Sequence, residues 1–261
     1  MKDIFNALWN DYISITPDAQ KVHDLLEDYG ETVINDHIAL RTFNKHPISV
    51  SDIGKIIIDK GYRPREKFHF DEKHLDAQFF SHPDHPIIFI SELVIEHFSQ
   101  ELQEICLDLV EEADKAIKQT GFTWPFNPWR VSHSTYQKLK TESEYAAWLS
   151  AFGIRANHFT LFINKLNKIK GIEELNAFLK ENGFVLNASG GEIKGSEELY
   201  LKQSSTMAGT IDWNFSDGTY QIPGCYYEFA ERFPIDDKGT LFDGFIAQSA
   251  DKIFESTNLK E

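Results

Sequence analysis

Two stretches of this chain answer each other, and that repeat limits the available folds more than any other feature. Asn35-Asp36-His37-Ile38-Ala39-Leu40-Arg41-Thr42-Phe43 reads as the body of a buried strand that begins near Val33. Asn157-His158-Phe159-Thr160-Leu161-Phe162-Ile163-Asn164 is its second copy, with Asn-x-His opening the first strand and Asn-His the second. Gly61 comes 24 residues after His37, closes Ser51–Lys60 and is followed by Tyr62; Gly183 comes 25 residues after His158, closes Gly171–Asn182 and is followed by Phe184. Both intervening stretches read as short amphipathic helices ended by glycine. Strand-like runs follow, ending in Ile87–Leu93 and in Cys225–Phe229. Each half therefore reads β-α-β-β-β, with a histidine in its first strand and a glutamate, Glu92 or Glu228, in its last. Two copies do not make a solenoid. They predict an α+β fold of two pseudo-symmetric βαβββ modules around a shared metal cleft.

Strand side chains alternate faces, so His37, Ala39, Arg41 and Phe43 share one side. His37 and Arg41 stand roughly 13 Å apart at the backbone, at about 3.3 Å per residue. Polar groups on an apolar strand are costly without partners. That spacing suits a metal at His37 and an anionic group of a bound molecule at Arg41; the alternative is a structural histidine and a structural ion pair. Of ten histidines, His37 and His158 alone hold equivalent places in the repeat. His46, His82 and His85 belong to proline-rich turns, His69 and His74 could face a cleft, and His23 and His133 have no partner in view.

Glu228 lies in an aromatic strand, on one face with Tyr226, Ala230 and Arg232, while Glu231 points the other way. A carboxylate among aromatics needs a cation, either Arg232 or a metal. Two histidines and one carboxylate form the facial set used for non-haem Fe(II), though other divalent metals fit the donors. Glu92 is a candidate fourth ligand.

Residues 1–30 read as two helices, 31–96 as the first module, 97–153 as an inserted helical connection, 154–233 as the second module and 234–261 as a C-terminal tail. Within these, 3–13 and the stretch after Thr16-Pro17 are amphipathic. Residues 98–120 form the clearest helix, capped by Ser99. Thr141-Glu142-Ser143-Glu144 fits a capping box that opens a helix through Phe152. Asp217-Gly218 signals a tight hairpin. The tail carries Phe245 to Ala250 and Ile253-Phe254, expected to pack back, with the last few residues expected to be disordered.

The net charge of −15, from 41 acidic and 26 basic residues, argues against nucleic acid and anionic membranes as partners. A small anionic substrate remains open where a cation and Arg41 make a local positive site. Cys106 and Cys225 make neither a disulfide framework nor a thiol-metal motif, which fits the cytoplasm. No signal peptide or membrane span is expected. Ser189-Gly190-Gly191-Glu192 lacks the lysine of a phosphate loop and reads as a turn. No Gly-x-Ser-x-Gly elbow is present, so hydrolysis by a serine nucleophile is poorly supported, while metal-assisted hydrolysis stays open.

Asp36-His37-Ile38-Ala39-Leu40-Arg41-Thr42-Phe43, Asn157-His158-Phe159-Thr160, Tyr227-Glu228-Phe229-Ala230-Glu231-Arg232 and Ser249-Ala250-x-x-Ile253-Phe254-x-Ser256 together resemble the 2-oxoadipate dioxygenase/decarboxylase (hydroxyglutarate synthase) family. Its fold is similar to that of the vicinal-oxygen-chelate metalloenzymes. The resemblance implies Fe(II) held by His37, His158 and Glu228, a 2-oxo acid whose C1 carboxylate pairs with Arg41, and dioxygen as co-substrate. It places Gln248 and Ser249 near the distal carboxylate, with Gln248 departing from the apolar residue expected there. It implies conversion of 2-oxoadipate to 2-hydroxyglutarate and CO2 by a monomer or small homo-oligomer. The rivals are a metal-dependent isomerase, lyase or hydrolase on the same scaffold, or a non-catalytic binding protein with Glu228 paired to Arg232.

Overall fold

The computed structural model describes residues 1–246. Gln248, Ser249 and the rest of the tail motif lie outside the described residues, as do the last few residues expected to be disordered. Chain order is α1 (Lys2–Ile15), α2 (Pro17–Tyr29), β1 (Asn35–Phe43), α3 (Val50–Ile58), β2 (Arg63–Phe70), β3 (Leu75–His82), β4 (His85–Leu93), α4 (Gln100–Thr120), α5 (His133–Glu142), α6 (Glu144–Phe152), β5 (Ala156–Phe162), α7 (Ile172–Glu181), β6 (Lys194–Ser196), β7 (Leu201–Ser205), β8 (Thr210–Phe215), β9 (Gly218–Pro223) and β10 (Glu228–Arg232). The fold is α+β. The chain forms two compact units, one made of Met1–Asp11, Ala39–Asn157 and Asp212–Ile222, the other of Tyr12–Ile38, His158–Ile211 and Pro223–Glu261.

In the first unit the strands run in the order β2-β3-β4-β1, with β2-β3 and β3-β4 antiparallel. Helix α3 starts at Ser49, whose hydroxyl accepts from Asp52 N at 3.2 Å. Its buried face carries Val50, Ile53, Gly54 and Ile57. Gly54 permits close approach to the sheet, since a β-carbon there would lie 2.8 Å from Phe80 Cζ. Helix α4 begins at Ser99 as the sequence predicts and buries Leu102, Cys106, Leu109, Val110 and Ala113, an apolar stripe at helical spacing. Helix α6 is capped by Ser143, which accepts from Ala146 N at 3.1 Å. Thr141 is not the cap; it sits inside α5, where its hydroxyl donates to Lys138 O. Hairpin β8–β9 forms where Asp217-Gly218 marks a turn, but it makes its own two-stranded sheet within the first unit, and Asp217 caps α5 through His133 N.

In the second unit the order is β5-β10-β7-β6. Strand β10 runs parallel to β5, with Glu228 opposite Thr160, and antiparallel to β7, with Glu228 opposite Ser205 and Ala230 opposite Gln203. Partners across a ladder share a face, so His158, Thr160, Glu228, Ala230 and Gln203 lie on one side of this sheet. Glu231 points the other way, as alternation predicts, and caps α7 by accepting from Ile172 N at 3.0 Å. Glu31, buried between α2 and β1, accepts from the backbone N–H groups of Asn167, Lys168 and Ile169 at 2.5–2.9 Å. Gly61 and Gly183, the two repeat glycines, both take positive φ, 96° and 87°.

Candidate metal centre

His37, His158 and Glu228 come together in the second unit, with one ligand atom from each lying within 4.8 Å of the others. All three are buried, at 2%, 5% and 1% exposure, so each polar atom must be satisfied from within. His37 Nε2 lies 3.4 Å from Glu228 Oε1, and His158 Nε2 lies 3.3 Å from Glu228 Oε2. Tyr226 stacks on the His158 ring at 4.9 Å between centroids, and Phe245 meets the His37 ring edge-on at 4.9 Å. These aromatics fix the imidazole planes and surround them with apolar atoms.

Three polar neighbours orient this group, and sequence reasoning missed each of them. Asp36 Oδ2 lies 2.7 Å from His37 Nδ1, which turns Nε2 toward Glu228. Strand alternation assigns Asp36 and His37 to opposite faces, yet at the first residues of β1 the two side chains meet. Gln203 donates to Glu228 Oε1 at 2.5 Å, one diagonal step across the β10–β7 ladder. Thr160 Oγ1 lies 3.1 Å from His37 Nε2. The Asp-His dipeptide is the one sequence signal that points to any of the three.

Arg232 does not pair with Glu228. Its guanidinium grips Asp36, Nε to Oδ1 at 2.6 Å and one terminal nitrogen to Oδ2 at 2.7 Å. Burial pushes the Asp36 carboxyl upward, but Arg232 and His37 outweigh it and hold the group well below the usual range. Burial opposes charge on Glu228 too, and the charge of His158 with hydrogen bonds from His37 and Gln203 brings it below its ordinary value. Burial would lower His37, yet hydrogen bonds with Asp36 and Glu228 raise it. With Arg232 engaged by Asp36, Glu228 faces two imidazoles and one amide. Two imidazole nitrogens and a carboxylate are a donor set that fits a divalent transition metal.

Arg41 is buried in the first unit. Its guanidinium carbon lies 5.0 Å from the ring centroid of Tyr145 and 5.0 Å from that of Trp148, both on α6. Tyr145 is itself fixed, with its hydroxyl donating to Ser91 O at 2.7 Å and accepting from Thr42 N at 3.1 Å. Glu92 is not part of the cluster of three; its carboxylate accepts from Val50 N at 2.6 Å. His69 is exposed and pairs with Asp76 and Asp71, and His74 stacks on His97. Gly190 and Gly191 take positive φ, as a turn at Ser189–Glu192 requires. Cys106 and Cys225 are buried and unlinked, and burial pushes the Cys106 thiol up to about 12, so it is no nucleophile.

The profile of the family "HGLS: 2-oxoadipate dioxygenase/decarboxylase" matches residues 103–240. The chain is 36% identical to the chloroplastic/amyloplastic 2-oxoadipate dioxygenase/decarboxylase of Oryza sativa subsp. japonica, over 95% of this chain and 76% of that one. Among solved structures it resembles hydroxyglutarate synthase in complex with 2-oxoadipate from Oryza sativa, with a TM-score of 0.91, 34% identity, and 98% and 91% of the two chains covered. A Shewanella frigidimarina protein described as a hydrolase gives a TM-score of 0.87 at 48% identity, covering 94% of this chain and 97% of that one. A protein from Ralstonia eutropha described as of the glyoxalase superfamily, at 20% identity, a TM-score of 0.76, and 93% and 84% coverage, shares the fold.

Proposed function

The chain belongs to the 2-oxoadipate dioxygenase/decarboxylase family, and from that premise we propose a reading of its site residue by residue. Its activity is conversion of 2-oxoadipate and O2 to 2-hydroxyglutarate and CO2. The observation that carries the reading is the buried convergence of His37, His158 and Glu228. These three hold the metal, and the metal is Fe(II), the ion that a two-histidine, one-carboxylate set with open positions serves in oxygenases. Bound there, iron supplies the redox chemistry that couples dioxygen to a 2-oxo acid.

The protein's own residues do the rest. Asp36 keeps His37 Nε2 directed at the metal position, and Gln203 holds one Glu228 oxygen so that the carboxylate does not swing. Tyr226 and Phe245 exclude water from the imidazole faces. Arg41 stands four residues beyond His37 on β1, an even spacing, and pairs with the C1 carboxylate of the substrate. Tyr145 and Trp148 hold its guanidinium by cation–π contact, with the guanidinium carbon 5.0 Å from each ring centroid. Gln248 and Ser249 are assigned to the distal carboxylate by family resemblance. All three metal donors come from one chain, so a monomer suffices. Two buried, unlinked thiols suit a reducing compartment such as the cytoplasm. Among the described residues no helix is long and apolar enough to cross a membrane.

The test is product stoichiometry. With 2-oxoadipate and Fe(II), one O2 consumed should match one CO2 released and one 2-hydroxyglutarate formed, and shorter 2-oxo acids should turn over more slowly. Turnover of 2-oxoadipate without oxygen uptake would discard the dioxygenase reading in favour of a lyase or hydrolase.

A further inference from the structure

Arg232 is buried, at 3% exposure, and makes more directed contacts than a structural ion pair needs. Two of its nitrogens bind the Asp36 carboxylate, at 2.6 and 2.7 Å. The third donates to the carbonyls of Phe242 and Gly244, at 3.0 and 2.9 Å. Asp36 Oδ2, which takes one of those bonds, is also the oxygen 2.7 Å from His37 Nδ1. Phe245, the residue after Gly244, places its ring 4.9 Å from His37 and 5.6 Å from the Arg232 guanidinium carbon. The backbone of Arg232 is pinned as well. Asn164 accepts from its N–H at 2.9 Å and donates to its carbonyl at 2.8 Å.

One guanidinium thus holds both things that fix the His37 ring: the carboxylate on its Nδ1 edge and the chain segment that carries the aromatic ring against it. We infer that Arg232 is a positioning residue: it sets the orientation of His37 through Asp36 and ties that orientation to the seating of residues 242–245. The inference rests on the reading of His37 as a metal ligand. A flat fork with nitrogens in three directions can hold a carboxylate and two carbonyls at once, which a lysine ammonium on a flexible stem cannot. Lysine should therefore keep the charge opposite Asp36 but not the geometry. Partners that orient a metal-bound histidine typically matter 10- to 100-fold in metal affinity.

The experiment uses Co(II) alone as probe, on the full chain, reading its dissociation constant and visible absorption spectrum, with chymotryptic cleavage after Phe242 and Phe245 as a second readout. In Arg232→Gln, Co(II) affinity should fall at least about tenfold, the spectrum should change, and cleavage should accelerate. Asp36→Asn should lower affinity and alter the spectrum while cleavage stays slow, because Arg232 still holds the two carbonyls. Arg232→Lys should recover thermal stability relative to Arg232→Gln without recovering the wild-type spectrum. If Arg232→Gln does not fold, Arg232→Lys decides alone. A folded Arg232 variant with wild-type spectrum and an affinity within about twofold of wild type would overturn the inference and leave Arg232 a structural residue. Failure of the metal-centre reading looks different: Co(II) affinity would be unaffected by Glu228→Ala, and the inference would fall with it.

Discussion

Glu228 Oε2 lies 3.3 Å from His158 Nε2, between two side chains buried almost completely in the second unit. Burial opposes that charge, but His158, His37 and Gln203 outweigh burial and favour the charged carboxylate in the metal-free chain, and a divalent cation favours it further. Glu228→Gln keeps the shape and removes the charge. The metal-free variant should melt lower than the metal-free wild type near neutrality, because a carboxyl with a depressed pKa stabilises the fold above its unfolded pKa. Metal at 100 times its dissociation constant should stabilise the wild type by about 2.7 kcal/mol and the variant hardly at all. Thermal denaturation with and without metal reads both. Equal metal-induced stabilisation in the two proteins would remove Glu228 from the ligand set.

Arg41→Met should leave metal affinity unchanged and weaken 2-oxoadipate binding by about 30- to 100-fold, the worth of a charge-assisted pair. Anaerobic calorimetric titration of the metal-loaded protein measures it. Undiminished affinity would return Arg41 to a structural role between Tyr145 and Trp148.

Glu31 gives a pH signature away from the site. Burial would raise its pKa, but three backbone N–H donors and Lys168 outweigh burial and lower it. A depressed carboxyl stabilises the fold fully above its unfolded pKa and loses that contribution as pH falls through the folded pKa. Glu31→Gln should therefore destabilise by about 2 kcal/mol near neutrality, with the gap to wild type closing in acid. Denaturant melts across that range test it, and a gap that does not narrow would contradict the sign.

Gly224→Ala should destabilise by about 1–3 kcal/mol, because a β-carbon there would lie 2.6 Å from the Ile15 carbonyl oxygen. Gly224 precedes Cys225-Tyr226, and Tyr226 stacks on His158, so a weaker metal site should accompany the loss. Urea melts and Co(II) titration together measure both effects. A variant as stable as wild type would show that the backbone yields there.

How much of this was legible in the chain follows from where each signal is stored. His37 and His158 were readable because a repeat marks them, and Glu228 because a carboxylate in an aromatic strand is conspicuous. Their glycines, Gly61 and Gly183, were readable because positive φ has a residue preference. The partners of these residues were not readable. Arg232 sits four residues beyond Glu228 on the same strand and face, which made it the obvious counter-ion, yet it binds Asp36, 196 residues away. Gln203 reaches Glu228 because β7 and β10 are neighbours, a pairing hidden by the intervening β8–β9 hairpin, which strand pattern alone assigns to the second module. Tyr145 and Trp148 look like ordinary helix core, and only a fold shows Arg41 against them. Local pattern locates the three residues that converge; long-range pairing decides what surrounds them.

The proposed role of His37, His158 and Glu228 is to hold one iron on which the activity depends. The direct measurement is iron per chain, after anaerobic Fe(II) reconstitution and desalting, alongside oxygen uptake with 2-oxoadipate on the same samples of wild type, His37→Ala and His158→Ala. The wild type should hold one iron per chain and take up oxygen, and the two variants should do neither. A histidine variant that keeps both its iron and its oxygen uptake would contradict it.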